Sequence, residues 1–224
     1  MKTRAASPFL LTCCGLVLRL FTTLLIVAAL FVSCTSPQPE DGPVYRSEQG
    51  YSIGLSPQWL VVSRLEAGEK ENTIATDNPR VRSLFTAEVL KALKEKARAS
   101  GVELFLNLET SDETFIESIN VQMARGSIAV EESDIGHACA ETEKRLTALY
   151  NKPVKIRTCK ALKIRRMPAI FMEYQVEKPA LAYVQYLIQL QTDRYTVMTL
   201  TCRPANLPKL RPEFDAIVAS FRPT

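Results

Sequence analysis

The chain has 224 residues, 46% of them hydrophobic, which is enough for one packed domain and too apolar for wholesale disorder. Its formal charge of +4 is unevenly placed: Lys2, Arg4 and Arg19 lie in the first 34 residues with no acid, leaving +1 for the remainder. A body so close to neutral excludes a strong nonspecific grip on a polyanion, so no nucleic acid is expected as a partner.

The chain opens with a positive stretch carrying Lys2 and Arg4. An uncharged apolar run then fills residues 20–33, 14 residues in all. A membrane-spanning helix wants about 20, so the run fits a signal segment better. Extending it back to Pro8 would bury Arg19 near mid-span at roughly 2.5–3.5 kcal/mol. The run ends Phe31-Val32-Ser33-Cys34, followed by Thr35-Ser36-Pro37. This resembles a bacterial lipobox, with Phe31 standing where leucine is usual. The resemblance implies a signal peptide over 1–33, acylation of Cys34 by palmitate-type chains, and a membrane-anchored envelope lipoprotein. Thr35, not Asp, follows the cysteine. In a two-membrane cell that favours the outer membrane.

Residues 34–47 are polar and proline-rich and read as the lipidated cysteine and a linker. The globular domain is then expected over 48–224. Tyr51, Ile53 and Leu55 alternate as in a strand, closed by Ser56-Pro57 and followed by Trp59. Residues 66–80 are polar and read as a loop. Phe85, Val89, Leu93 and Ala97 at helical spacing predict a helix over 82–99, ended by Gly101. Alternation in 102–124, with a turn at Thr110–Glu113, predicts a hairpin whose apolar face is Val102, Leu104, Leu106 and Leu108.

A helix is predicted over 133–150, capped by Ser133, with Ile135, Cys139, Leu146 and Leu149 as its apolar stripe. Strands follow at 153–164, 168–177, 181–191 and 194–202, and a last helix carries Leu210, Phe214, Ile217, Val218 and Phe221. Runs such as Phe171-Met172 and Val197-Met198 are apolar on both sides of the alternation and predict a sheet buried on both faces. The whole reads as an α+β domain, a mostly antiparallel sheet flanked by helices.

Two stretches carry a resemblance. Residues 51–59, YSIGLSPQW, are similar to the strand-Pro-x-Trp opening of PsbP-like domains. Residues 195–202, YTVMTLTC, followed by 214–221, FDAIVASF, resemble their last strand and helix. The resemblance spans about 48–222 and implies an α/β/α sandwich. That fold serves extrinsic photosystem proteins, envelope lipoproteins and a nuclear GTPase-binding protein, so it implies no single activity.

Chemistry is sparse. His137 is the single histidine. Its neighbour Cys139 lies two residues on, a spacing that places the two side chains on different faces of a helix. No phosphate-cradling glycine loop, no nucleophile elbow and no paired-cysteine metal motif occurs, and no metal or cofactor is expected. The acidic pairs Glu131/Glu132 and Glu141/Glu143 read as a solvated helix surface.

The most distinctive local feature is a basic run without an intervening acid: Lys152, Lys155, Arg157, Lys160, Lys163, Arg165 and Arg166. It is either a contact for anionic headgroups or an acidic partner, or an edge strand whose lysines block unwanted pairing. The second reading is the plainer one. Of the cysteines beyond Cys34, Cys139 and Cys159 are the preferred bridge. Eleven helical residues cover about 16 Å and six strand residues about 20 Å, so the two can lie level. Cys159 nevertheless shares strand parity with Lys155 and Arg157, Cys202 is the alternative partner, and three free thiols remain open. Trp59, Tyr183, Tyr186 and Tyr195 are candidate groove aromatics or, more plainly, core.

The expected function is that of a non-catalytic interaction or assembly module held at a membrane, its protein partner unnamed. A lipid- or small-ligand-binding envelope protein and a photosystem-associated extrinsic protein are the alternatives.

Overall fold

β-Branched and aromatic runs joined by two-residue turns make the second half of the chain a meander, and this meander organises everything else. The computed structural model describes residues 43–62, 79–128 and 131–224. The expected signal segment, Cys34 and most of the expected 66–80 loop lie outside them. In chain order the elements are β1 (Val44–Ser47), β2 (Tyr51–Gly54), β3 (Trp59–Val61), α1 (Pro79–Leu84), α2 (Ala87–Ser100), β4 (Val102–Asn107) and β5 (Ser118–Arg125). Then come α3 (Glu132–Tyr150), β6 (Lys155–Ile164), β7 (Met167–Glu177), β8 (Ala180–Gln191), β9 (Arg194–Cys202), α4 (Leu207–Ser220) and β10 (Arg222–Pro223).

Seven strands form one antiparallel sheet in the order β3-β4-β5-β9-β8-β7-β6, and β1-β2-β10 form a small second sheet. The fold is α+β, with helices on both faces of the large sheet. On one face, α4 buries Leu210, Phe214, Ile217 and Val218 against Val184, Tyr186, Met198 and Leu200, and the small sheet adds Tyr51 and Ile53. The other face carries two separate apolar clusters. Val81, Phe85 and Leu106 meet under α1 and α2, while Val154, Tyr174, Val176 and Tyr183 meet beside α3 with Leu146 and Tyr150.

Several local expectations change. The globular part begins before residue 48, because Val44–Ser47 pairs with β2 and Tyr45 is buried. The 82–99 helix is two helices. Thr86 stops the first and accepts the Val89 N–H on its hydroxyl at 3.3 Å, starting the second as a cap. That restart turns Val89 outward, 46% exposed. Gly101 does end α2, at φ +62°, where only glycine is unstrained. Helix α3 starts one residue earlier than expected and its N-cap is Glu131, not Ser133, whose hydroxyl meets Asp134 instead. Leu149 is 75% exposed and stands off the stripe.

The β4 alternation is the sharpest correction. Leu104 and Leu106 do face a core, but so do Glu103, Phe105 and Asn107 on the opposite side. Both faces of β4 are covered, so alternation cannot single out one as dry. Hydrogen bonds offset the burial at both Glu103 carboxylate oxygens and at the Asn107 side-chain carbonyl. Glu103 accepts from Tyr45 Oη at 2.9 Å, from Ser47 Oγ at 2.7 Å, and from the Tyr51 hydroxyl. Asn107 Oδ1 accepts the backbone N–H groups of Glu109 and Thr110 at 3.0 and 2.9 Å.

The motif residues at the two chain ends meet in space. Glu213 on α4 accepts from Trp59 Nε1 at 2.8 Å, Gln58 Nε2 at 2.7 Å and the Ser56 hydroxyl. This carboxylate explains why a Pro-x-Trp segment follows the opening strand: it anchors the closing helix.

Candidate functional site

Strand β6 is the edge of the large sheet, and the arrangement around it starts from one irregularity. The β6–β7 register shifts between Ile156 and Thr158, so Arg157 is an extra, bulged residue. A one-residue insertion reverses which face each later side chain takes. Ile156 opposite Tyr174 and Cys159 opposite Met172 therefore lie on the same face, the one that α3 covers. Cys139 on α3 and Cys159 form a disulfide with a Cα–Cα distance of 6.2 Å. The bulge puts Cys159 on the face opposite to Lys155, despite their shared parity along the chain. Helix α3 also serves the strand's backbone: Glu143 Oε2 accepts the Ile156 N–H at 2.8 Å and Thr147 Oγ1 the Val154 N–H at 3.1 Å.

The same bulge divides the basic run. Lys155 and Lys160 lie on the α4 face, opposite Gln175 and Phe171. Lys163, opposite Pro168, lies on the α3 face. Arg165 and Arg166 form the hairpin turn, and Lys152 precedes the strand with its Nζ donating to the Lys178 carbonyl at 2.5 Å. The seven residues thus surround an edge rather than paving one face. Lys160 sits 5.6 Å from the centroid of the Phe171 ring. Among the described residues, Lys155, Arg157, Lys163 and Arg166 make no ion pair.

His137 is exposed, and Cys139, being bridged, offers it no thiol. Trp59 and Tyr186 belong to the main core; Tyr183 stacks on Tyr174 at 4.8 Å on the other face. These aromatics line no common groove. Among the described residues, no three His, Cys, Asp or Glu side chains gather as a metal would require.

Cys202 is buried and unpaired. Burial, then the charges of Glu117 and Glu173, push its thiol up to about 12. A raised folded pKa means the neutral thiol's contribution is intact below the ordinary range near 8.5 and falls as pH climbs toward 12. At pH 8, iodoacetamide is expected to leave Cys202 unmodified in the native chain and to alkylate it in urea; mass mapping that finds it alkylated without denaturant would contradict the burial.

Sequence reasoning missed two polar features. At the start of α4, Arg203 bonds Asp112 at 2.5 Å and the Thr110 carbonyl at 2.9 Å, and Asn206 bonds buried Glu117 at 2.5 Å. The hydroxyl of Thr114, then Arg203, holds the Asp112 carboxyl below its usual range. These contacts clamp the 108–116 loop and read as structural.

The second feature lies on the face that α2 and α3 cover. Helix α2 packs on β4 and α3 on β6. Between them the pairing aligns Asn120 of β5, Thr199 of β9 and Gln185 of β8 in one cross-strand row, with Ser118 and Thr201 in the next. All five are half-buried, and Gln185 Nε2 donates to Thr199 Oγ1 at 2.9 Å. This strip of amides and hydroxyls can donate and accept hydrogen bonds. It contains no group that exchanges a proton near neutral pH.

No protein-family model matches the chain, and no curated protein matches it. Solved structures do. The cyanobacterial PsbP protein CyanoP of Synechocystis superposes with a TM-score of 0.50 at 11% identity, over 87% of this chain and 99% of that one. The yeast Ran-binding protein Mog1p gives 0.48 at 12% identity, over 81% and 95%. LpqN, involved in cell envelope biogenesis of Mycobacterium tuberculosis, gives 0.44 at 11% identity, over 83% and 87%. At these identities a likeness carries the fold alone, and only the first superposition is close enough to argue from. What the chain shares with the cyanobacterial protein is therefore its architecture, a PsbP-like fold of one antiparallel sheet between helical layers.

Proposed function

We propose that this is an envelope lipoprotein, anchored through Cys34, whose PsbP-like domain is a non-catalytic docking module for another protein. The half-buried polar strip of Ser118, Asn120, Gln185, Thr199 and Thr201 carries the choice of partner class. Amides and hydroxyls in that position suit the peptide groups and polar side chains of a protein segment. Under an acyl chain they would be stripped of water without replacement, at about 1–3 kcal/mol for each unpaired group. This disfavours a lipid-carrier role. The anchor rests on the Phe31–Cys34 motif and its flanks. Two acyl chains, at about 0.8 kcal/mol per buried methylene, would make attachment lasting.

The anchor is tested by labelled palmitate: incorporation is expected in the wild-type chain and none in Cys34→Ala. Equal labelling of that variant would remove the lipoprotein reading. The docking surface is tested by a photo-crosslinking residue at Thr199 and another at Glu177, an exposed position away from the strip. A discrete partner adduct is expected from Thr199 and should vanish in Asn120→Arg. Identical adducts from both positions would show that the strip is not the docking surface.

A further inference from the structure

The domain's connection to the linker lies beside a patch of positive charge. Pro43, the first described residue, accepts the Leu55 N–H on its carbonyl at 3.1 Å. Val44 pairs with Gly54, and the Gly54 N–H donates to Ser220 Oγ in the last turn of α4 at 2.7 Å. One residue back, the Ala219 carbonyl accepts Arg165 Nε of the β6–β7 turn at 3.3 Å. Arg222 joins this group, its Nη1 donating to the Ser220 carbonyl at 2.5 Å. The linker therefore leaves the domain at the end where Lys163, Arg165, Arg166 and Arg222 gather.

Nine peptide links separate Cys34 from Pro43. Fully extended, they reach about 30 Å. A bilayer holding acylated Cys34 is thus never far from this end of the domain. Lys163, Arg165 and Arg166 are exposed, and Lys163 and Arg166 have no counter-charge among the described residues. Arg165 and Arg222 are held in place by the last carbonyls of α4 rather than neutralised by a carboxylate. The linker's Glu40 and Asp41 offset part of this charge. Lys163 shares its face of the sheet with the acidic start of α3, Glu131 and Asp134, whereas Arg165 and Arg222 lie against the end of α4.

We propose that the β6–β7 tip and the adjoining end of α4 rest on the anionic headgroups of the bilayer that holds the chain, a contact that depends on the Cys34 anchor inferred above. Each basic side chain near a negative leaflet changes partitioning about fivefold, and the effect fades within a Debye length of about 10 Å. An acidic protein surface is the competing occupant. The membrane is favoured because the tether confines this end of the domain to within about 30 Å of it.

The test uses the full lipidated chain in phosphatidylcholine vesicles with and without phosphatidylglycerol, both carrying nitroxide headgroups. One fluorophore replaces Ala219, beside Arg165, and another replaces Ala180, the exposed first residue of β8 at the far end of the strands. The Ala219 label is expected to be quenched severalfold more than the Ala180 label when phosphatidylglycerol is present. The difference should collapse in Lys163→Glu/Arg166→Glu and in high salt. Flotation with the vesicles but equal quenching at both sites would overturn the contact while leaving the anchor standing, and would assign the basic tip to a protein partner. Failure to float would remove the anchor and this contact together.

Discussion

Replacing Glu103 by alanine is expected to cost about 3–5 kcal/mol of folding stability, read as a fall in the urea midpoint at unchanged slope. The carboxylate is buried and receives hydroxyls from Tyr45, Ser47 and Tyr51. Two of those donors sit on β1 and one on β2, whereas Glu103 belongs to β4. This single side chain therefore fastens the small sheet to the large one. Alanine leaves three donors near a cavity that water enters poorly, and an orphaned buried donor costs about 1–3 kcal/mol. Tyr51 lies against Phe221, ring centroids 5.4 Å apart, so the damage spreads to the end of α4. Glutamine should be much milder, at about 1–2 kcal/mol, because hydroxyls can rotate to satisfy either end of an amide. Tyr51→Phe should cost about 1 kcal/mol and be less than additive with Glu103→Ala. An alanine variant within about 1 kcal/mol of the wild type would show that the three hydroxyls find other partners.

Removing the Cys139–Cys159 bridge is the other large effect. The cysteines are 20 residues apart in sequence. Closing such a loop contributes about 3 kcal/mol in the chain-entropy account. The Cys139→Ala/Cys159→Ala pair is thus expected to melt about 6–12 °C lower, at roughly 2–4 °C per kcal/mol for a domain of this size. Hydrogen exchange should locate the loss. With the staple gone, α3 is held to β6 by the Glu143 and Thr147 contacts to Ile156 and Val154 and by the small cluster around Tyr174 and Tyr183. Amides of β6 and α3 should therefore exchange fastest, through local opening, while those of β5 and β9 in the sheet centre should quicken only by the global loss of stability. Uniform acceleration across the sheet would mean that the bridge acts on the unfolded chain alone. The bulge adds a second handle. Deleting Arg157 restores simple alternation and turns either Cys159 or Ile156 away from α3. The fraction of bridged protein, measured by mass without reductant, should drop sharply.

The parity of Cys159 was legible; the bulge that reverses it was not, because an extra residue in one strand is visible only against its partner. Glu103 and Asn107 looked like a solvent face because a polar residue in an alternating strand usually is one. Their burial follows from the β1–β2 sheet and from the 108–116 loop closing over that side, a long-range event. The break at Thr86 is written as a cap residue inside an apolar period, a weaker local signal than the period that surrounds it. The polar strip had no sequence signal at all. Ser118 and Asn120, Gln185, Thr199 and Thr201 are ordinary outward positions in three separate strands until antiparallel register sets them side by side.

By itself the sequence determined whatever depends on near neighbours along the chain. The four strands from β6 to β9, their tight turns, α3, the closing helix and the apolar run before Cys34 all follow from local period, turn chemistry and length. Only the tertiary structure decided which faces are covered: Glu103 inside, Cys159 toward α3, Val44–Ser47 inside the domain, and the basic run wrapped around an edge. The physical reason is that burial belongs to pairs of surfaces brought together by folding. A strand's alternation states that it has two faces, and the layers packed above and below decide what each face meets.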